Sequence, residues 1–223
     1  MRIINYLYPY RFDLFLISLL FILFGTLFVP NNWYDNYLNS IFFVTNIIAG
    51  LLLISKKKRS RYLYFFILFT SIILFVISAI DQNEVGSYTY YEFATMFSFY
   101  CLVTSDIIHQ VWHTKSVNRS VMTGLMSGYI CLGLVGFFIL MTIELMEPGS
   151  FAGLSEPDHT FANKRDDLTY FSYITLLTIG YGEILPVSRL ARNATVLIGL
   201  LGQFYLVIVT AVVIEKYIRN RAE

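Results

Sequence analysis

The chain has 223 residues, of which 57% are hydrophobic and 17% aromatic against 14% charged, and its mean hydropathy is +0.62. That balance lies outside the soluble globular range and leaves no room for a sizeable soluble domain. A formal net charge of +1 gives no electrostatic footprint for nucleic acid.

A bilayer is crossed by about 20 apolar residues in a helix, and six segments reach that length, at roughly 12–29, 38–55, 62–80, 92–112, 120–146 and 190–217. Arg2 and Arg11 before the first run give it the look of a signal peptide. No small-residue cleavage site follows, so the run is expected to remain as the first span. Asp13, just inside it, reads as interfacial, with Arg11 or the basic second connection as its partner. That connection carries Lys56, Lys57, Lys58, Arg59 and Arg61, the fourth carries Lys115 and Arg119, and the tail carries Lys216, Arg219 and Arg221. With six spans all of these fall on one side together with Arg2 and Arg11. Positive charge marks the cytoplasmic side, so both termini are expected in the cytoplasm of a multi-pass plasma-membrane protein. The alternate connections hold Asp35, then Asp81, Glu84 and Glu92, then Glu147, Glu156, Asp158, Asp166, Asp167 and Glu183. Tyr6, Tyr8, Tyr10, Trp33, Tyr34, Tyr37, Tyr62, Tyr64, Tyr88, Tyr90, Tyr91 and Trp112 flank the spans as interfacial belts.

The fourth span has no Lys or Arg between Glu92 and Trp112, but it does hold Asp106, His109 and His113. Their spacing of i, i+3 and i+7 places them on one helical face near the cytoplasmic end. Three readings stand: a polar cluster that satisfies itself, a proton sensor working through histidine titration, and a metal site. Cys101 and Cys131 lie in apolar runs and read as packing residues. Glu144, near the outer end of the fifth span, reads as interfacial. Residues 147–167, with Pro148, Gly149, Gly153 and Pro157, form a long turret. A short helix is expected after it, at roughly 168–178, before the last span.

The string Tyr170-Phe171-Ser172-Tyr173-Ile174-Thr175-Leu176-Leu177-Thr178-Ile179-Gly180-Tyr181-Gly182-Glu183-Ile184-Leu185-Pro186, with hydrophobic segments on both sides, resembles the potassium-channel pore signature over its whole length. The resemblance implies an all-α membrane protein with a re-entrant pore helix and a selectivity-filter loop, assembled as a homotetramer. Residues 1–116 are then a peripheral four-helix bundle and residues 117–223 a pore domain. Backbone carbonyls replace the water of a desolvated K+ ion in such filters. The expected K+ positions are Thr178, Ile179, Gly180 and Tyr181, with Gly182 closing the loop. Aiming successive carbonyls at one axis needs alternating backbone conformations that glycine takes cheaply. Leu177 stands where the family usually has a second Thr, and Glu183 where it usually has Asp. Tyr170 and Phe171 hold the positions nearest to the Trp that bonds that acid in relatives, so a Glu183 to Tyr170 contact is expected, with Thr175 as a third support.

The front half resembles the six-span voltage-gated-like superfamily in helix count and topology only. Each sensor charge in that group is worth about 2.3 kcal/mol per 100 mV, and its basic residues are absent here, so steep voltage gating is not expected. Counted from Pro186, Gly202 falls where many potassium channels have a hinge glycine; close packing through Gly199 and Gly202 is the alternative. Val212 and Val213, inside the apolar run from Val209 to Ile214, are the expected gate. K+ is the cargo and no catalysis or organic cofactor is implied. The expected partners are three further copies and membrane lipids, with no identifiable soluble partner. Two rivals remain: a weakly selective cation channel, and an intramembrane sensor or enzyme built on Asp106, His109 and His113.

Overall fold

The computed structural model describes residues 8–28, 39–54, 58–80, 87–113, 119–155 and 161–222. Asp35, Lys56, Lys57, Asp81, Glu84, Lys115, Glu156, Asp158 and the belt residues Tyr6, Trp33, Tyr34 and Tyr37 lie outside them, as does the side chain of His113. The described chain is mostly helical: α1 (Arg11–Phe24), α2 (Asn39–Ile54), α3 (Lys58–Ile80), α4 (Ser87–His113), α5 (Arg119–Met146), α6 (Phe161–Leu176) and α7 (Arg189–Ala222). Single 3-10 turns, Tyr8–Tyr10 and Gly25–Leu27, extend α1 at both ends. A two-residue antiparallel ladder joins β1 (Phe151–Ala152) to β2 (Leu185–Pro186).

Among the described residues three helical stretches are long and apolar enough to cross a membrane: Tyr8–Leu27, Arg119–Met146 and Arg189–Lys216. The apolar parts of α2 and α3 are shorter, Ile41–Leu53 and Tyr62–Leu74. The segments expected at 38–55, 62–80 and 92–112 do form helices. Polar residues lengthen α3 beyond its apolar part, and α4, long as it is, belongs to neither set among the described residues.

The core is built around α5, which packs against α1, α4, α6 and α7, while α2 and α3 close the bundle on the far side of α1 and α4. Within the most apolar window of α5, 61% of residues are buried, against 17% for α7. The centre of the chain is therefore α5, and one side of α7 has no partner among the described residues. Aromatic rings fill the bundle: Phe43, Phe93, Tyr100 and Phe138 interlock, mostly edge to face. Tyr64 belongs to this core and not to an interfacial belt, since it is fully buried with its ring 5.9 Å from that of Phe99.

One group of polar side chains inside the bundle is joined across three helices. Asn46 of α2 donates to Ser18 Oγ of α1 at 2.8 Å and accepts from the Tyr100 hydroxyl of α4 at 3.1 Å. Interhelical bonds of this kind average about 0.6 kcal/mol in a membrane protein, so they fix register more than they stabilise. Asp13 takes a different partner from the basic ones expected, accepting from Thr123 Oγ1 of α5 at 3.2 Å.

Candidate functional site

Helix α6 is held in a cradle made by α5. Tyr173 Oη donates to the Ile130 carbonyl and Ser172 Oγ to the Gly133 carbonyl, each at 2.7 Å. In the other direction Tyr129 Oη of α5 reaches the Leu176 carbonyl at 3.1 Å. Gly133 makes this docking possible, because a Cβ there would enter the Tyr173 ring. Helix α6 begins at Phe161, earlier than hydropathy placed it. Its first turns are charged, and Lys164 and Asp167 are anchored by partners distant in sequence.

The helix ends in a tight reversal. Thr178 N–H donates to the Thr175 carbonyl at 3.0 Å and Ile179 N–H to that of Ile174 at 2.8 Å, the paired bonds of a Schellman motif. The left-handed position of this motif usually holds glycine. Here it is Thr178, with φ of 59°, the one non-glycine residue with positive φ among those described. Gly180 and Gly182 follow with φ of 56° and 92°. Every second residue from 178 to 182 is thus left-handed, which is the alternation the carbonyl argument required. Ile179 and Tyr181 lie 48% and 73% exposed, so among the described residues nothing covers the two large side chains of the loop. Leu177 opens on a cavity of about 460 Å³ between α1, α5 and α6, whose walls include Leu23, Phe137, Tyr170 and Tyr173.

Beyond the loop the chain is stitched to the turret. The Tyr170 phenol is pushed up to about 12, first by hydrogen bonding with the Glu183 side chain, then by desolvation and by the negative charge of that carboxylate. The Glu183 carbonyl packs on Gly153, whose φ of 86° suits only glycine. The Ser150 carbonyl accepts from Val187 N–H at 2.8 Å and Ser188 N–H at 3.3 Å. Ser155 binds Asp167 through both its N–H, at 2.6 Å, and its Oγ, at 3.0 Å. The described root of the turret therefore lies against the segment that leaves the loop.

Glu144 is buried, not interfacial. Its Oε1 accepts from Lys164 Nζ at 3.0 Å and Gly149 N–H at 3.1 Å, tying α5 to the turret and to α6. The sequence carried a signal for this role that was passed over: an ionisable residue within an apolar span points to a specific partner.

On α7, the buried stripe runs through Ala191, Ala194, Ile198, Gly202 and Tyr205. Gly202 faces the Leu176 carbonyl, which a Cβ would meet at 2.5 Å, so close packing accounts for this glycine. Gly199 has open space where a Cβ would stand. Val213 packs against the core and Val212 is half-buried, so neither lies on the exposed stripe of Val196, Leu200, Phe204, Val207 and Ile214. At the end of α4, Asp106 is half-buried and His109 exposed. Among the described residues no three His, Cys, Asp or Glu side chains converge as a metal site would need.

Residues 124–219 match the family model described as ion channel. The match supports an ion channel in this part of the chain. It spans nearly all of α5, the turret, α6, the left-handed loop and α7 as far as residue 219, while α1 to α4 lie outside it. No curated protein and no solved structure matches the chain.

Proposed function

We propose that the chain is one subunit of a homotetrameric, potassium-selective channel in the plasma membrane, with six spans, a re-entrant pore loop and both termini in the cytoplasm. One observation carries this reading. The left-handed residues 178, 180 and 182 alternate at the end of a short helix held between two helices of spanning length.

A K+ ion gives up its hydration shell only where other oxygens replace it, and closely spaced neutral carbonyls do so without trapping the ion. Thr178, Ile179, Gly180 and Tyr181 supply those oxygens in our reading. Thr178 adds its hydroxyl, while Glu183, Tyr170 and Thr175 support the loop from behind. Unpaired carbonyls facing lipid would cost several kcal/mol each, so the loop must surround water. A single loop cannot do so, but four can. The apolar face of α7 and the uncovered side chains of Ile179 and Tyr181 support a contact with further copies of the chain. Passage is passive, driven by the electrochemical gradient, and no chemical step is assigned to any residue. The test is the bi-ionic reversal potential of the purified protein in planar bilayers. Equal permeability to sodium and potassium would leave a weakly selective cation channel. Unchanged function after Gly180→Ala or Tyr181→Ala would remove the filter altogether.

A further inference from the structure

The buried stripe of α7 continues through the half-buried Val209 and Val213 and ends on a lysine. Lys216, which charge counting placed in a solvated cytoplasmic tail, is only 7% exposed. Its Nζ donates to the Val111 carbonyl at 2.6 Å and the Trp112 carbonyl at 2.9 Å, both in the last turn of α4. The final carbonyls of a helix have no intrahelical donor and carry the negative end of its dipole, which is where a cation binds well. An apolar residue would fill this stripe position without the desolvation that an ammonium suffers. The lysine is therefore suited to gripping, more than to packing.

The same device recurs one helix further out. Gln110 Nε2 of α4 donates to the Leu53 carbonyl in the last turn of α2 at 3.2 Å. Helix α7 thus holds the end of α4, and α4 holds the end of α2. The exposed stripe of α7, including Val207, Ile214 and Ile218, lies away from this grip. Pulling the end of α7 toward α4 keeps that stripe off the axis on which four copies would meet.

We propose that Lys216 is a positioning residue for the gate: its hold on the terminal carbonyls of α4 draws the cytoplasmic end of α7 outward and favours conduction. The proposal rests on the channel reading above, and it makes the last turn of α4 the point at which the peripheral helices act on the pore. The full chain in lipid vesicles tests it, with Lys216→Met keeping length but not charge and Lys216→Arg keeping both. Potassium flux and deuterium uptake of residues 106–113 and 209–218 are the readouts. The Met variant should lose resting flux by about tenfold, the ratio sustained by a hydrogen bond to a charged group. It should also exchange faster in both segments, with oligomer size and the protection of α6 unchanged, and the Arg variant should restore both. Wild-type exchange in the Met variant overturns the proposal, and so does loss of the oligomer or of α6 protection, which would mean a general folding role. Absence of potassium flux in the wild type would overturn the channel reading instead, leaving exchange to judge the grip itself.

Discussion

The Glu144 to Lys164 pair offers the sharpest energetic test. At 3.0 Å, two unit charges attract by about 5 kcal/mol at an effective dielectric constant near 20. Removing both from water costs several kcal/mol per ion where burial is complete, so the net contribution of such a pair is small. Burial here is unequal, with side-chain exposures of 2% for Glu144 and 22% for Lys164. Glu144 Oε2 also has no hydrogen-bond partner among the described residues. The carboxylate is therefore the expensive member, and taking away its ammonium leaves it stranded with only Gly149 N–H. Loss of one partner of a fully buried pair costs about 3–5 kcal/mol; discounting for the wetter lysine gives about 2–3 kcal/mol for Lys164→Met. Glu144→Leu, which removes the buried charge and frees a lysine that can reach water, should cost less. The double variant, with no charge left to strand, should lie near the wild type. Thermal unfolding of the purified protein in micelles reads all four corners of the cycle, at about 2–4 °C per kcal/mol for a chain of this size. A double variant less stable than Lys164→Met would refute the reasoning, because the pair would then stabilise the fold beyond its desolvation.

Gly133→Val should drive a branched side chain into the Tyr173 ring and destabilise the chain by about 1–3 kcal/mol, read as a lower unfolding midpoint with the Tyr173 to Ile130 bond lost. Tyr170→Phe removes the donor to Glu183. The phenol pKa is raised by that bond to about 12, so its contribution is complete below the ordinary tyrosine value of about 10 and is lost as pH climbs through 12. The wild-type and Phe proteins should therefore differ by a constant amount from neutral pH to about 10 and converge above it; a difference that fades between pH 5 and 8 would assign the bond elsewhere. Ile214→Ala, on the exposed stripe of α7, should change resting potassium flux with little effect on unfolding, whereas Val213→Ala, packed on the core, should destabilise the fold by about 1 kcal/mol, read as a lower unfolding midpoint, with smaller effect on flux.

Apolar run length and local backbone demand were legible without coordinates. Each of the segments expected as spans became a helix, and the glycines at 180 and 182 announced a loop that only left-handed residues can make. Both signals are local, carried within a few consecutive residues, and so survive without knowledge of neighbours. The partners of the buried charges were not legible. Glu144 stands out as a lone acid in an apolar span, but its partner does not, and Lys164 and Lys216 look alike in sequence to the charged residues around them; only the meeting of α5 with the turret and of α7 with α4 decides what covers them. The early start of α6 and the packing role of Gly202 follow the same logic. A helix with no partner is equally plausible on every face, and which face is covered, and by what, is settled by residues tens of positions away.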